Sequence, residues 1–266
     1  MQSCCTNYCS LPPWVIASRH FNRYPKPLEL QGVRRGHAGF FRLLDAETDP
    51  RRRTAIFHDY MDVTFQLHQW QQQKTAGGRK SLKNSYLRFL RGWMFDANGR
   101  EGAVLKGWVE SRFGLAPTYH GQPIASIQSE AYQAYLIDRM RGSARSSAIQ
   151  AQFDLLFEFA QYELQRRHAG QTLFEMYRGI YDFAEHPVLE QQAPHHCVVR
   201  LNNLNSFTSH FERAWEFGSR VLAAKVPASK ILFFSGLFCS ALLRGEEENL
   251  VIGGEYEVEI ITGGFR

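Results

Sequence analysis

The sequence has no apolar run approaching the length of a bilayer-spanning helix, so no membrane span is expected. It has no long lysine or arginine tract beyond Arg51-Arg52-Arg53, which argues against a nucleic-acid binder. Cysteine is scarce and odd in number: five residues, at positions 4, 5, 9, 197 and 239. Cys4, Cys5 and Cys9 lack a matching second ligand pair, so a zinc site is not expected. His195-His196-Cys197 makes a poor chelate, because adjacent strand residues point to opposite faces. No catalytic metal is therefore expected. Leu11-Pro12-Pro13 breaks any early apolar stretch, so no signal peptide is expected, and a reduced cytoplasmic setting fits. No Gly-x-Gly-x-x-Gly follows a predicted strand, which excludes a Rossmann crevice. No internal repeat is visible.

What is present suffices for a folded core: 266 residues, 44% apolar, with a formal net charge of +5. That modest positive balance suits an acidic partner or a phosphorylated ligand. Residues 1–50 read as irregular apart from a short helix over 38–44, because prolines 12, 13, 25 and 27 mark extended segments. Ile56, Tyr60, Val63, Leu67 and Trp70 recur at helical spacing and predict a helix over 52–73 with that face inward. Further helices are predicted over 81–95, 102–112, 125–141 and 144–168; Leu82, Tyr86, Phe89, Leu90 and Trp93 face inward in the first of these.

The character changes at Gly170. Strands are expected over 172–177, 196–201 running on to 209, and 230–234, with a loop between Pro187 and Pro194. A helix is expected over 209–224, stopped by Pro227. Tyr256, Val258 and Ile260 alternate with Glu255, Glu257 and Glu259, a half-exposed strand, with Gly253-Gly254 as its hairpin turn. The expected class is α+β: a mainly helical region over 1–169, then a β-rich core over 170–266.

Three motifs in the last third carry chemistry. Tyr177-Arg178-Gly179 places a guanidinium at a strand end, where it can grip a phosphate bidentately; an exposed strand-end arginine is the plainer reading. Ser206-Phe207-Thr208-Ser209 opens the next element, and simple capping would explain it. Glu246-Glu247-Glu248 runs into Asn249-Leu250-Val251-Ile252. In an extended chain Glu246 and Glu248 share a face, and two neighbouring carboxylates suit glycosidic-bond chemistry; a solvated acidic turn is the alternative.

Arginine, then a Ser/Thr cluster, then Glu-x-Glu, in that order, resembles the arginine–serine–glutamate class of mono-ADP-ribosyltransferases. More of the chain is similar to one family within it. Leu11-Pro12-Pro13, the segment from Leu87 to Asp96, the segment from Glu101 to Gly114, and Leu204 to Ser209 look like the NAD(+)–dinitrogen-reductase ADP-D-ribosyltransferase family. The resemblance covers nearly the full length. It implies that NAD is the substrate, held by Arg178 with Gly179, and that Ser209 positions Glu248, with Ser206 or Thr208 sharing the task. It implies that Glu248 stabilises positive charge on the ribose and that Glu246 orients an acceptor arginine and takes its proton. Phe238 is a candidate platform for the incoming guanidinium, or a core residue. The implied partners are dinitrogenase reductase, the nitrogenase iron protein, which the modification switches off, and a PII signalling protein. NAD glycohydrolysis, or a non-catalytic partner-binding protein, are the alternatives.

Overall fold

Within residues 149–167, Ile149, Phe153, Leu156, Phe157 and Ala160 recur at helical spacing, the apolar stripe of a helix that packs on a core. In the computed structural model this segment is the central helix. Phe153, Leu155, Leu156, Phe157, Phe159 and Ala160 are all fully buried along it. Each large side chain of that kind contributes roughly 1.5–3 kcal/mol of burial. The structure describes residues 7–67, 85–144, 148–238 and 247–263.

The described helices are α1 (Pro13–Ala17), α2 (Arg19–Arg23), α3 (Val33–Gly36), α4 (Ala38–Ala46), α5 (Pro50–Phe65), α6 (Tyr86–Phe95), α7 (Arg100–Phe113), α8 (Glu130–Ser143), α9 (Ile149–Arg167) and α10 (Phe211–Trp215). Local chemistry sets several of their ends. The Asp49 side chain caps α5, which begins with Pro50, and Ser85 and Ser129 cap α6 and α8. Gly114 ends α7 in the left-handed conformation, at φ 69°. The strands are β1 (Leu173–Ile180), β2 (Val188–Ala193), β3 (His196–Thr208), β4 (Arg220–Pro227), β5 (Ile231–Phe233) and β6 (Glu248–Thr262). The class is α+β, with helices first and an antiparallel sheet after them.

The strand order is β2-β3-β1-β4-β6-β5, and β3 also pairs with β6 along most of its length. That extra pairing curls the sheet into a ring of β3, β1, β4 and β6. Thr208 is the closing joint: it pairs with Tyr177 of β1 and with Glu248 of β6. One apolar core joins helices and sheet, from Phe57 and Trp108 through α9 to Leu204 and Ile252. A buried ion cluster ties the layers further. Arg53 donates to both oxygens of Glu163 on α9 at 2.5 and 3.1 Å, and Arg167 donates to Glu163 at 2.7 Å and to the Gly236 carbonyl at 2.8 Å.

Several expectations change. The described part of residues 1–50 holds four short helices rather than one. Helix α5 turns Thr54, Phe57 and Met61 inward, while Val63 is 78% exposed; Trp70 and Leu82 lie outside the described residues. The expected loop between Pro187 and Pro194 contains edge strand β2, where flanking prolines cost no ladder hydrogen bond. The expected helix over 209–224 is only five residues long, and Arg220–Pro227 is a strand between β1 and β6. Val221, Leu222, Ala224 and Val226 are all buried there, and a run apolar on both faces has no period to separate helix from strand. Gly253-Gly254 makes no hairpin, since β6 runs straight through. Both glycines serve close approach: a Cβ on Gly253 would lie 1.6 Å from the Asn202 carbonyl oxygen, and one on Gly254, at φ 122°, would lie 2.5 Å from that of Ala17.

Candidate active site

Arg178 sits within β1, opposite Leu222 of β4, with its side chain turned toward β3. Its Nε donates to His186 Nε2 at 2.9 Å, one Nη to the Ser206 carbonyl oxygen at 2.9 Å, and the other to Glu185 Oε2 at 3.0 Å. Accepting at Nε2 fixes the His186 tautomer, with its proton on a buried Nδ1 that has no partner. Burial and the adjacent Arg178 charge push the His186 pKa down to about 3, so the ring is neutral. Burial alone would raise the Glu185 carboxyl; the positive charges of Arg178 and its neighbours outweigh it and hold the group below its ordinary value. Lys106, 1% exposed, donates to Asn98 Oδ1 and the Tyr119 carbonyl oxygen. Burial lowers its pKa to about 8. Two cations against one carboxylate leave this corner electropositive.

The second wall is built by strand register. Ser206 and Thr208 are two residues apart on β3 and share a face; Thr208 lies opposite Glu248 and Ser206 opposite Leu250. The indole N–H of Trp93, on α6, donates to Ser206 Oγ at 2.9 Å and to Glu248 Oε1 at 3.1 Å. Trp93, Arg178, Gly179, Ser206, Thr208 and Glu248 line one cleft of about 350 Å³. Phe95 and Phe217 stand at its edge, 95% and 58% exposed. Gly179 is needed because α10 packs directly on it: a Cβ there would lie 2.0 Å from the Ala214 carbonyl oxygen. A larger concavity, about 560 Å³, lies between α2 and strands β4 and β6. It carries the Arg23–Glu257 ion pair and none of the candidate residues.

The family model for dinitrogenase reductase ADP-ribosyltransferase (DRAT) matches residues 6–260. The chain belongs to this family. It is 42% identical over 258 residues to the NAD(+)–dinitrogen-reductase ADP-D-ribosyltransferase of Rhodospirillum rubrum, covering 96% of this chain and 94% of that protein. No solved structure matched it.

In this DRAT-family chain, Arg178, Gly179, Ser206, Thr208 and Glu248 meet in the cleft, although up to seventy positions separate them. Ser209 stands apart: it is exposed, and its Oγ accepts from the Asn249 amide at 3.4 Å. Ser206 is the hydroxyl that shares a donor with Glu248. Glu247 is exposed, with its backbone at φ 41°, and Glu246 lies outside the described residues. Of the two readings of Phe238, guanidinium platform or core residue, the packing favours the core. Phe238 is 7% exposed and packs on Phe57, His58, Tyr86 and Phe233, so its faces are taken by the core. Sequence reading missed Glu185, His186 and Lys106 altogether and took Trp93 for a core residue. Trp93 is indeed buried, and only the direction of its N–H distinguishes it. Among the described residues no helix is long and apolar enough to cross a membrane.

Proposed function

We propose that the cleft between Arg178, Ser206 and Glu248 binds NAD, and that this chain moves its ADP-ribose onto an arginine of dinitrogenase reductase. The observation that carries this reading is the joint at Thr208, which puts an anchored guanidinium and a strand-mouth carboxylate on one cleft. Family membership supplies the reaction.

An arginine side chain has five N–H groups, and Arg178 commits three to the protein. The remaining two lie in one plane and suit two oxygens of a pyrophosphate. Breaking the bond between ribose C1 and nicotinamide leaves positive charge on the sugar, which the Glu248 carboxylate stabilises. The acceptor guanidinium is protonated at neutral pH and a poor nucleophile. Glu246 orients it and takes the proton as the new C1–N bond forms. Residues 170–266 act as the NAD-binding core, with 1–169 packed on it. Modification inactivates nitrogenase, and a PII signalling protein regulates the enzyme.

The test is mass spectrometry of purified nitrogenase iron protein after incubation with this protein and NAD. One added ADP-ribose on an arginine is expected. No added mass, with nicotinamide released at the same rate whether or not iron protein is present, would make the chain an NAD glycohydrolase.

A further inference from the structure

The donor shared by Glu248 and Ser206 comes from α6, 155 residues before Glu248. Trp93 is 3% exposed, and a buried indole N–H needs an acceptor. Here one N–H is divided between two acceptors, at 2.9 and 3.1 Å, and both line the cleft. The Lys106 ammonium lies 5.9 Å from the indole centroid, and is itself held by Asn98 and the Tyr119 carbonyl. A fixed cation over the ring draws electron density from it and strengthens the N–H as a donor. Ser206 completes the linkage, since its hydroxyl oxygen accepts a hydrogen bond from Trp93 while its carbonyl oxygen accepts one from Arg178. The two ends of the cleft are thereby coupled through one residue.

We propose that Trp93 is a positioning residue of the transfer reaction: its N–H holds the Glu248 carboxylate and the Ser206 hydroxyl in register. The helical region thus supplies part of the active site and not only a packing surface. The proposal rests on the role given above to Glu248.

A residue that merely fills space is insensitive to the loss of one N–H, and the test uses that difference. Trp93 is replaced by β-(3-benzothienyl)alanine, which keeps the bicyclic shape and puts sulfur where the N–H was; Trp93→Phe is made in parallel, with thermal unfolding of both. In the isostere kcat for iron-protein modification should fall about 10- to 100-fold, as expected for a lost hydrogen bond to a charged group, while KM for NAD changes less than about threefold. The acidic limb of the kcat–pH profile should move to higher pH, because a carboxylate that loses a donor protonates more readily. In a Glu248→Gln background the same replacement should change the residual rate less than about twofold, since the partner through which it acts is already altered. An unchanged kcat and an unmoved acidic limb in a folded isostere would overturn the proposal. So would an equal loss in the Glu248→Gln background. Wild-type transfer by Glu248→Gln alone would instead overturn the reading of the cleft.

Discussion

Arg178 has its Nε and one N–H on each Nη committed to protein acceptors, so its plane is fixed before any ligand arrives. A group ordered in advance contributes to binding more than to the chemical step. Arg178→Ala should therefore weaken NAD affinity by roughly 10- to 100-fold, the value of one charge-assisted contact. Arg178→Lys should also be impaired, because an ammonium cannot satisfy His186, Ser206 and Glu185 and still present a fork. Calorimetric titration with NAD checks both, and unchanged affinity would remove Arg178 from the phosphate site. In the proposed mechanism Glu248 acts later along the reaction. Glu248→Gln should still bind NAD but lose on the order of 100- to 1,000-fold in rate, for hydrolysis and transfer alike. Glu246→Gln should lose protein modification and keep slow hydrolysis, because water carries no positive charge to discard. Parallel assays of nicotinamide release and labelled iron protein separate the two. If Glu246→Gln loses both activities equally, the carboxylates act as one coupled pair.

The element that sets the site is β6, which pairs with β3, β4 and β5 and starts at Glu248. Its passage beside β3 depends on Gly253, where a Cβ would sit 1.6 Å from the Asn202 backbone oxygen. Gly253→Ala should destabilise the protein by about 1–3 kcal/mol or more, because a backbone atom has to move. Gly39 in α4 has open space around its missing Cβ, and Gly39→Ala should stabilise by about 0.5–1 kcal/mol through helix propensity. Denaturant titration of the pair should show opposite signs. These elements were unequally legible in the sequence. Helices α6 and α9 announced themselves through apolar residues at helical spacing, and the alternation from Glu255 to Ile260 marked a half-exposed strand. The two glycines of β6 read as a turn, because sequence shows that a side chain is missing and not which backbone comes close. Strand β4 read as helix because its apolar residues fill both faces. Arg178 and Glu248 stood out by motif, and the fold brings both to one cleft. The bond from Trp93 to Glu248 was invisible, since a three-dimensional direction decides it and the residue type alone also fits the core.

Across the molecule, His37, His58, His120 and His186 all titrate below their ordinary value, chiefly through burial. The unfolded chain therefore binds more protons than the folded one once the pH falls below about 6.5. Stability is fully present above that pH and is lost as the pH falls, for His186 down to its folded value of about 3. That residue alone should contribute a slope of up to about 1.4 kcal/mol per pH unit. Urea midpoints should decline from pH 7 to pH 5, and His186→Gln, which retains an acceptor for Arg178, should flatten the decline. A pH-independent midpoint would mean that these rings reach water. The ring of strands also has a consequence for how the protein is made. Its members emerge from the ribosome in order, and β6, last of the described strands, brings both the closing edge and Glu248. Until then β3 and β4 have open flanks, and Arg178, already paired with Glu185, has no Glu248 across the cleft. Pairings this distant in sequence form late. On the proposed role of Glu248, a nascent chain is inert toward NAD, and activity comes only from chains that have closed the sheet.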